Sequence, residues 1–205
     1  MYTPKHFEEQ HKEVLHELIQ AHPLATLITL KNGNLEANLI PMLLARGDGM
    51  FGTLRGHFAR SNPLWHEHPK ELDVLAVFHG PETYITPSWY ASKAESGKVV
   101  PTWNYTTVHA KGKLSVIDDP SWIRSLLEAL TSSNEAEFTH PWAVSDAPDE
   151  YITNLIGGVI GFEIVIAELQ GKWKVSQNRT ETDRDSLSKG LSNHGDFEMA
   201  KLVKN

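Results

Sequence analysis

The sequence predicts an α+β fold in which antiparallel strands make a closed or partly closed barrel, with helices at the start, middle and end. Two patterns carry this. Apolar and β-branched runs recur between tight-turn signals, as hairpin strands do, while other segments space their apolar residues as a helix would. A third observation bounds the architecture: no repeat or low-complexity linker divides the 205 residues, 40% of them hydrophobic, so a single domain over 1–205 with one core is expected.

From His6 to His22, Phe7, Val14, Leu15, Leu18 and Ile19 recur at helical spacing with charges between them, which predicts an amphipathic helix stopped by Pro23. Leu24 to Leu30 and Leu35 to Ala45 then read as strands joined through Asn32-Gly33, a strong tight-turn pair. Gly47-Asp48-Gly49 turns the chain into a third strand, Met50 to Leu54. His57 to His68, broken by Pro63 and followed by Pro69, reads as a loop with a short helix. Leu72 to Phe78 is a strand bounded by Gly80-Pro81, and Tyr84 to Ile85 extends a strand before Pro87. Ala91 to Lys98, small and polar, predicts a mobile loop. Trp103 to Ala110 and Lys113 to Ile117 read as a hairpin around Lys111-Gly112, giving roughly six strands in the sequence so far.

Asp119-Pro120 predicts a helix start, with the aspartate as cap and the proline where its missing N–H costs nothing. Trp122, Leu126, Leu127 and Leu130 form that helix's apolar stripe. A shorter helix over Asp149 to Leu155 ends at Gly157-Gly158. Val159 to Leu169 and Lys172 to Val175 read as a late hairpin, followed by a polar helical tail from Thr182 to Lys204.

Composition removes several chemistries. The chain has no cysteine, so disulfides, thiolate metal sites and a cysteine nucleophile are excluded, and redox chemistry requires a borrowed cofactor. A formal net charge of -7 disfavours the basic surface that drives sequence-independent DNA binding, although a local basic patch on a dimer is compatible with it. No Lys/Arg-rich run, zinc-finger spacing or helix-turn-helix pair stands out. Met1 to Phe7 lacks the apolar stretch of a signal peptide, and Gly157 to Leu169 is too short and too charged to span a bilayer, which predicts a cytoplasmic protein without membrane association. Among eleven histidines, His6, His11, His16 and His22 drift around their helix, and His66 and His68 flank Glu67 without a matching motif, so no metal site is expected. No G-x-S-x-G is present.

Four segments are dense in residues with chemical uses. LRGHFARSNP, Leu54 to Pro63, brings His57, Arg60 and Asn62 together after a strand, suited to phosphate oxygens or equally to a solvated turn with a helix cap. HGPETYITPSWY, His79 to Tyr90, carries Tyr84, Ser88, Trp89 and Tyr90. VPTWNYTTVHAKG, Val100 to Gly112, alternates Trp103, Asn104, Tyr105 and His109 along a strand. Aromatic faces beside hydrogen-bonding groups suit a planar heteroaromatic ligand, although strand aromatics more commonly pack in cores and interfaces. KVSQNR, Lys174 to Arg179, either anchors a ligand or leaves the sheet, and by itself favours the exit.

With MYTPKHF at the start, these segments in order resemble the PaiB-like FMN-binding negative transcriptional regulators over nearly the whole chain. The resemblance implies a split β-barrel related to the pyridoxamine-phosphate-oxidase-like flavoproteins, with FMN held at a homodimer interface. It implies a phosphate end at His57, Arg60 and Asn62. Ile40, Pro41, His79, Tyr84, Ser88 and Trp89 would lie nearer the ring system, and Trp103, Asn104 or Gln177, Asn178 and Arg179 would close the site from either protomer. No catalytic residue is assigned.

Three functions follow as expectations. A flavin-bound regulator requires a basic groove across the dimer for DNA. A flavin-dependent oxidoreductase would orient a small molecule against the flavin, with Tyr84, His79 or His109 supplying a proton. A haem-binding barrel would draw on the plentiful histidines.

Overall fold

The computed structural model describes residues 1–31, 33–63 and 71–204. Asn32 of the expected turn, and His66, Glu67, His68 and Pro69, lie outside the described residues. The chain divides into two compact units. The first comprises Met1–Ala21, His79–His109 and Gln170–Asn205, and the second His22–Phe78 and Ala110–Leu169. The strands are β1 (Glu8–Glu9), β2 (Leu24–Lys31), β3 (Asn34–Pro41), β4 (Leu43–Ala45), β5 (Thr53–Ala59), β6 (Glu71–Ile85), β7 (Thr102–Ile117) and β8 (Val159–Lys174). They form one sheet in the order β3-β2-β6-β7-β8-β5-β4, with β1 paired to β8. The helices are α1 (Lys12–Ala21), α2 (Ser92–Ser96), α3 (Pro120–Glu135), α4 (Asp149–Gly157), α5 (Glu181–His194) and α6 (Phe197–Lys204). No helix among the described residues is long and apolar enough to cross a membrane.

Three expected breaks are absent. The hairpins expected around Lys111-Gly112 and between Leu169 and Lys172 are the uninterrupted strands β7 and β8, and Gly80-Pro81 lies inside β6 rather than ending it. Close approach explains Gly112 and Gly80 inside these strands. A Cβ on Gly112 would lie 2.2 Å from the Val165 carbonyl oxygen, and one on Gly80 would lie 2.2 Å from Thr106 Oγ1. Glycine here admits a neighbour instead of turning the chain.

Smaller differences have local causes. The strand expected over Leu35 to Ala45 divides at Met42, whose N–H bonds the Pro23 carbonyl at 2.9 Å. The third strand starts at Thr53 and takes in His57, which sequence reading put in a loop. A 3-10 turn at Lys5–Phe7 and β1 occupy the first part of the expected helix, so α1 starts at Lys12. The segment expected to be a mobile loop holds α2, tied down by the buried Asp183 carboxylate, which accepts from Ser92 N at 2.9 Å and Ser92 Oγ at 2.8 Å.

In the first unit, Ile85, Tyr90, Val175, Leu187, Leu191, Met199, Ala200 and Val203 form a buried cluster under α5 and α6. Thr180 caps α5 by accepting from Asp183 N, and Gly195 at φ 93 closes it, which divides the expected tail into two helices. In the second unit, Asp119 caps α3 through Ser121 N and Trp122 N, as the Asp-Pro pair predicts. Ile123, Ile152 and Ile156 then pack α3 against α4.

Gly112→Ala tests the continuous strand. The methyl group would collide with fixed backbone, so a loss of about 1–3 kcal/mol is expected, read as a lower urea midpoint. An exposed turn glycine would tolerate the change with little loss.

Candidate functional site

The end of β5 in the second unit carries His57, Arg60 and Asn62. The Arg60 fork is engaged: Nη1 donates to Asp118 Oδ2 at 2.9 Å, Nη2 to Asp118 Oδ1 at 2.6 Å and to Val159 O at 3.0 Å, and Nε to Gly157 O at 2.8 Å. The residue therefore also ties the end of α4 to the start of β8. The guanidinium holds the Asp118 carboxyl below the usual carboxylate range, chiefly by hydrogen bonding. His57 is half-buried opposite Gly161, its buried Nδ1 has no hydrogen-bond partner among the described residues, and burial lowers the ring's pKa below the ordinary 6.5. Asn62 closes the turn through its N–H to Ala59 O at 2.9 Å. Ile40 and Pro41 belong to β3: Ile40 is core, and Pro41 is exposed opposite Leu24.

The remaining candidates belong to the first unit. Tyr84 and Trp103 are exposed and meet edge to face at 5.9 Å between ring centroids. His79 is exposed on β6. Ser88 Oγ accepts from Lys93 Nζ at 2.9 Å. Trp89 is a packing residue: it lies on α5 where Gly190 leaves room, 5.7 Å from the His194 ring. Its large face, attractive as a stacking surface in the sequence, is used against a helix.

KVSQNR leaves β8 in a shaped turn. Ser176, without glycine's freedom, sits at φ 65, a left-handed conformation. Gln177 staples the turn, its Oε1 accepting from Val175 N at 2.9 Å and its Nε2 donating to Trp173 O at 2.5 Å, so both ends of the amide are committed to backbone. Arg179 N–H bonds Ser176 O at 3.0 Å, and its guanidinium lies 4.7 Å over the Tyr90 ring. Asn104 is fully buried, its Oδ1 accepting from Ser176 Oγ at 3.1 Å while its Nδ2 has no partner. Lys174 Nζ donates to Thr102 Oγ1 at 2.6 Å and to the Trp103 carbonyl. Sequence reading missed Lys174 as a site residue, although the lysine of KVSQNR was visible. Asn104, Asn178, Arg179, Lys174 and Ser176 line one pocket of about 120 Å³ with Tyr90.

His57 generates a pH prediction. With the folded value below the unfolded one, the unfolded chain binds more protons, so its contribution is present above about 6.5 and is lost as pH falls through the depressed value. In the flavin-free protein, His57→Gln is expected to lose less thermal stability than wild type on going from about pH 7 to about pH 5. Parallel pH profiles would contradict this.

Comparison with known proteins adds a family to this geometry. The family described as "Putative FMN-binding domain" matches residues 1–168. The Bacillus subtilis protein named protease synthase and sporulation protein PAI 2 is 31% identical over 207 residues, covering 100% of this chain and 97% of that one. An uncharacterized protein of Emericella nidulans is 34% identical over 240 residues, covering 100% of this chain and 95% of its own. Among solved structures, the FAD and heme binding protein from Mycobacterium smegmatis aligns with a TM-score of 0.58 at 16% identity, over 82% of this chain and 73% of that one. The flavocytochrome Anf3 from Azotobacter vinelandii aligns at 0.55 and 18% identity, over 85% and 70%. At these identities the structural likeness speaks to fold, and the fold is that of the flavin-binding split β-barrels. The chain belongs to the PaiB-like family of FMN-binding proteins, and its cofactor is FMN.

Proposed function

We propose that this chain is a homodimeric FMN-bound regulator of the PaiB type, with the flavin phosphate received at the end of β5 by Arg60, assisted by His57 and Asn62. One observation carries the regulatory reading: the likeness to PAI 2, a protein whose name ties it to protease synthesis and sporulation, runs the length of both chains. A local feature supports it despite the net charge of -7. Lys189 of α5 and Lys201 and Lys204 of α6 line a groove of about 640 Å³, with Ser192, Asn193 and the exposed Phe197 between them. Such a patch offers phosphate contacts that position DNA without reading its sequence.

The phosphate assignment requires an exchange. Arg60 is paired with Asp118, but both side chains are substantially exposed, and water screens such a pair. A phosphate dianion presents the same bidentate geometry with more charge, so it can take Asp118's place while the Gly157 and Val159 carbonyls keep holding the guanidinium. His57, neutral near pH 7 because burial disfavours its cation, brings an unpartnered ring nitrogen to the same strand end. Bound there, FMN supplies the redox chemistry that a cysteine-free chain lacks.

The homodimer reading rests on the outward face of β2 and β3. Cross-strand pairs Leu24 with Pro41, Ile28 with Ala37, and Leu30 with Leu35 lie on one side of the hairpin, and Leu39 stands beside them opposite Thr26. Leu24, Leu30, Leu35 and Leu39 are each more than half exposed. Burying such a contiguous apolar face against a second copy removes it from water.

Two experiments check these readings. Asp118→Asn frees the Arg60 fork from a competing charge, so FMN affinity by fluorescence titration is expected to rise several-fold; an unchanged or weaker affinity would place the phosphate elsewhere. Sedimentation velocity of the FMN-loaded protein is expected to give a dimer that Leu35→Lys with Leu39→Lys converts to monomer. The same run with genomic DNA fragments at low salt is expected to show a complex, lost in a Lys189, Lys201 and Lys204 to Gln variant. A wild-type protein that sediments free of DNA would sink the regulatory reading.

A further inference from the structure

The turn that ends β8 presents basic charge without its complement. Among the described residues no carboxylate is paired with Lys174 or Arg179, in contrast to Arg55, Arg60 and Arg124, each held by acids. Lys174 is instead crowded: burial lowers its pKa, and the neighbouring positive charges of Lys172 and Arg179 lower it further. Crowded cations facing one small pocket are electrostatically incomplete, and an anion relieves both.

The neutral groups point the same way. Asn104 is fully buried, and among the described residues its Nδ2 has no partner while its Oδ1 is fixed by Ser176. The buried Tyr90 hydroxyl is likewise unpartnered. Buried donors left open are uncommon because each forfeits its hydration. The backbone around them is held in a costly conformation, with Ser176 left-handed and Gln177 stapling the turn. That conformation sets Arg179 over the Tyr90 ring. The volume, about 120 Å³, suits an ionic head group, whereas pockets for drug-sized ligands run to roughly 300–1,000 Å³. Phe7, Val100 and Pro101 complete the wall with apolar surface.

We propose that Lys174, Arg179, Asn104 and Tyr90 form a receptor for the oxyanion head group, phosphate or carboxylate, of a small ligand other than FMN. The flavin phosphate is proposed to lie at Arg60, His57 and Asn62; the resemblance places Asn104 and Arg179 at the edge of the flavin site, so Lys174, which it does not place there, distinguishes the two. The cations neutralise the head group, Asn104 Nδ2 and the Tyr90 hydroxyl donate to its oxygens, and the apolar wall receives the adjoining carbon. An effector or substrate bearing such a group would then bind independently of the flavin's own phosphate.

The test is calorimetric titration of the FMN-loaded protein with inorganic phosphate and, separately, acetate, at fixed ionic strength. Saturable binding of at least one is expected, and whichever binds tighter assigns the head-group class. Arg179→Gln and Lys174→Gln are each expected to weaken that binding about tenfold or more, and Lys174→Gln to do so with FMN content by absorbance unchanged. Asp118→Asn, which tests the flavin phosphate, is expected to leave anion binding as it is. The proposal is overturned if neither anion binds the wild type saturably. It is also overturned if binding survives both substitutions undiminished, or if a folded Lys174→Gln protein has lost its FMN, because the pocket would then be the flavin's own phosphate site.

Discussion

At Gly112 the backbone of β7 passes so close to β8 that a single methyl group would lie 2.2 Å from the Val165 carbonyl oxygen. Backbone contact at this range fixes strand position more tightly than side-chain packing does, because carbonyl and amide positions have no rotamers with which to yield. With β7 unbroken, Lys111 and Lys113 flank the contact and pair with Glu168 and Asp73. In the first unit, Ser176 Oγ, just past β8, donates to Asn104 Oδ1 of β7 at 3.1 Å.

Two basic clusters in the chain differ in how their charge is met. Arg60 has Asp118 and two carbonyls, so its charge is balanced and its fork doubles as a clamp between β5 and the α4–β8 junction. Among the described residues, Lys174 and Arg179 have hydroxyl, carbonyl and aromatic neighbours but no carboxylate. A balanced but exposed pair can trade one anion for another with little change in total charge. The unbalanced pair instead gains by acquiring an anion. The contrast is local: one cluster carries its own counter-ion, and the other is met by neutral groups among the described residues.

Aromatic residues show how one sequence signal divides. Trp89 and Trp103 both lie in segments that read as platforms for a planar ligand. Trp89 spends its face on α5, where Gly190 has no side chain to oppose it, while Trp103 remains exposed beside Tyr84. Nothing in the two local sequences separates these fates, since the partner of Trp89 is a helix a hundred residues away. Gln177 followed the same course: an amide that suits a ligand was taken by the backbone of its own turn.

The sequence by itself determined what depends on neighbours along the chain. It yielded the α+β class, the Asp119-Pro120 helix start, the β2–β3 strands and the family, because caps, periodicities and ordered motifs are local. The tertiary structure decided whether Gly80 and Gly112 turn the chain or admit a neighbour, since a glycine's meaning depends on what approaches it. It decided that Arg60 is paired and Lys174 is not, and that the buried amide of Asn104 lacks a partner for its Nδ2. Charge compensation and desolvation are sums over groups brought together in space, and spacing along the chain does not encode them.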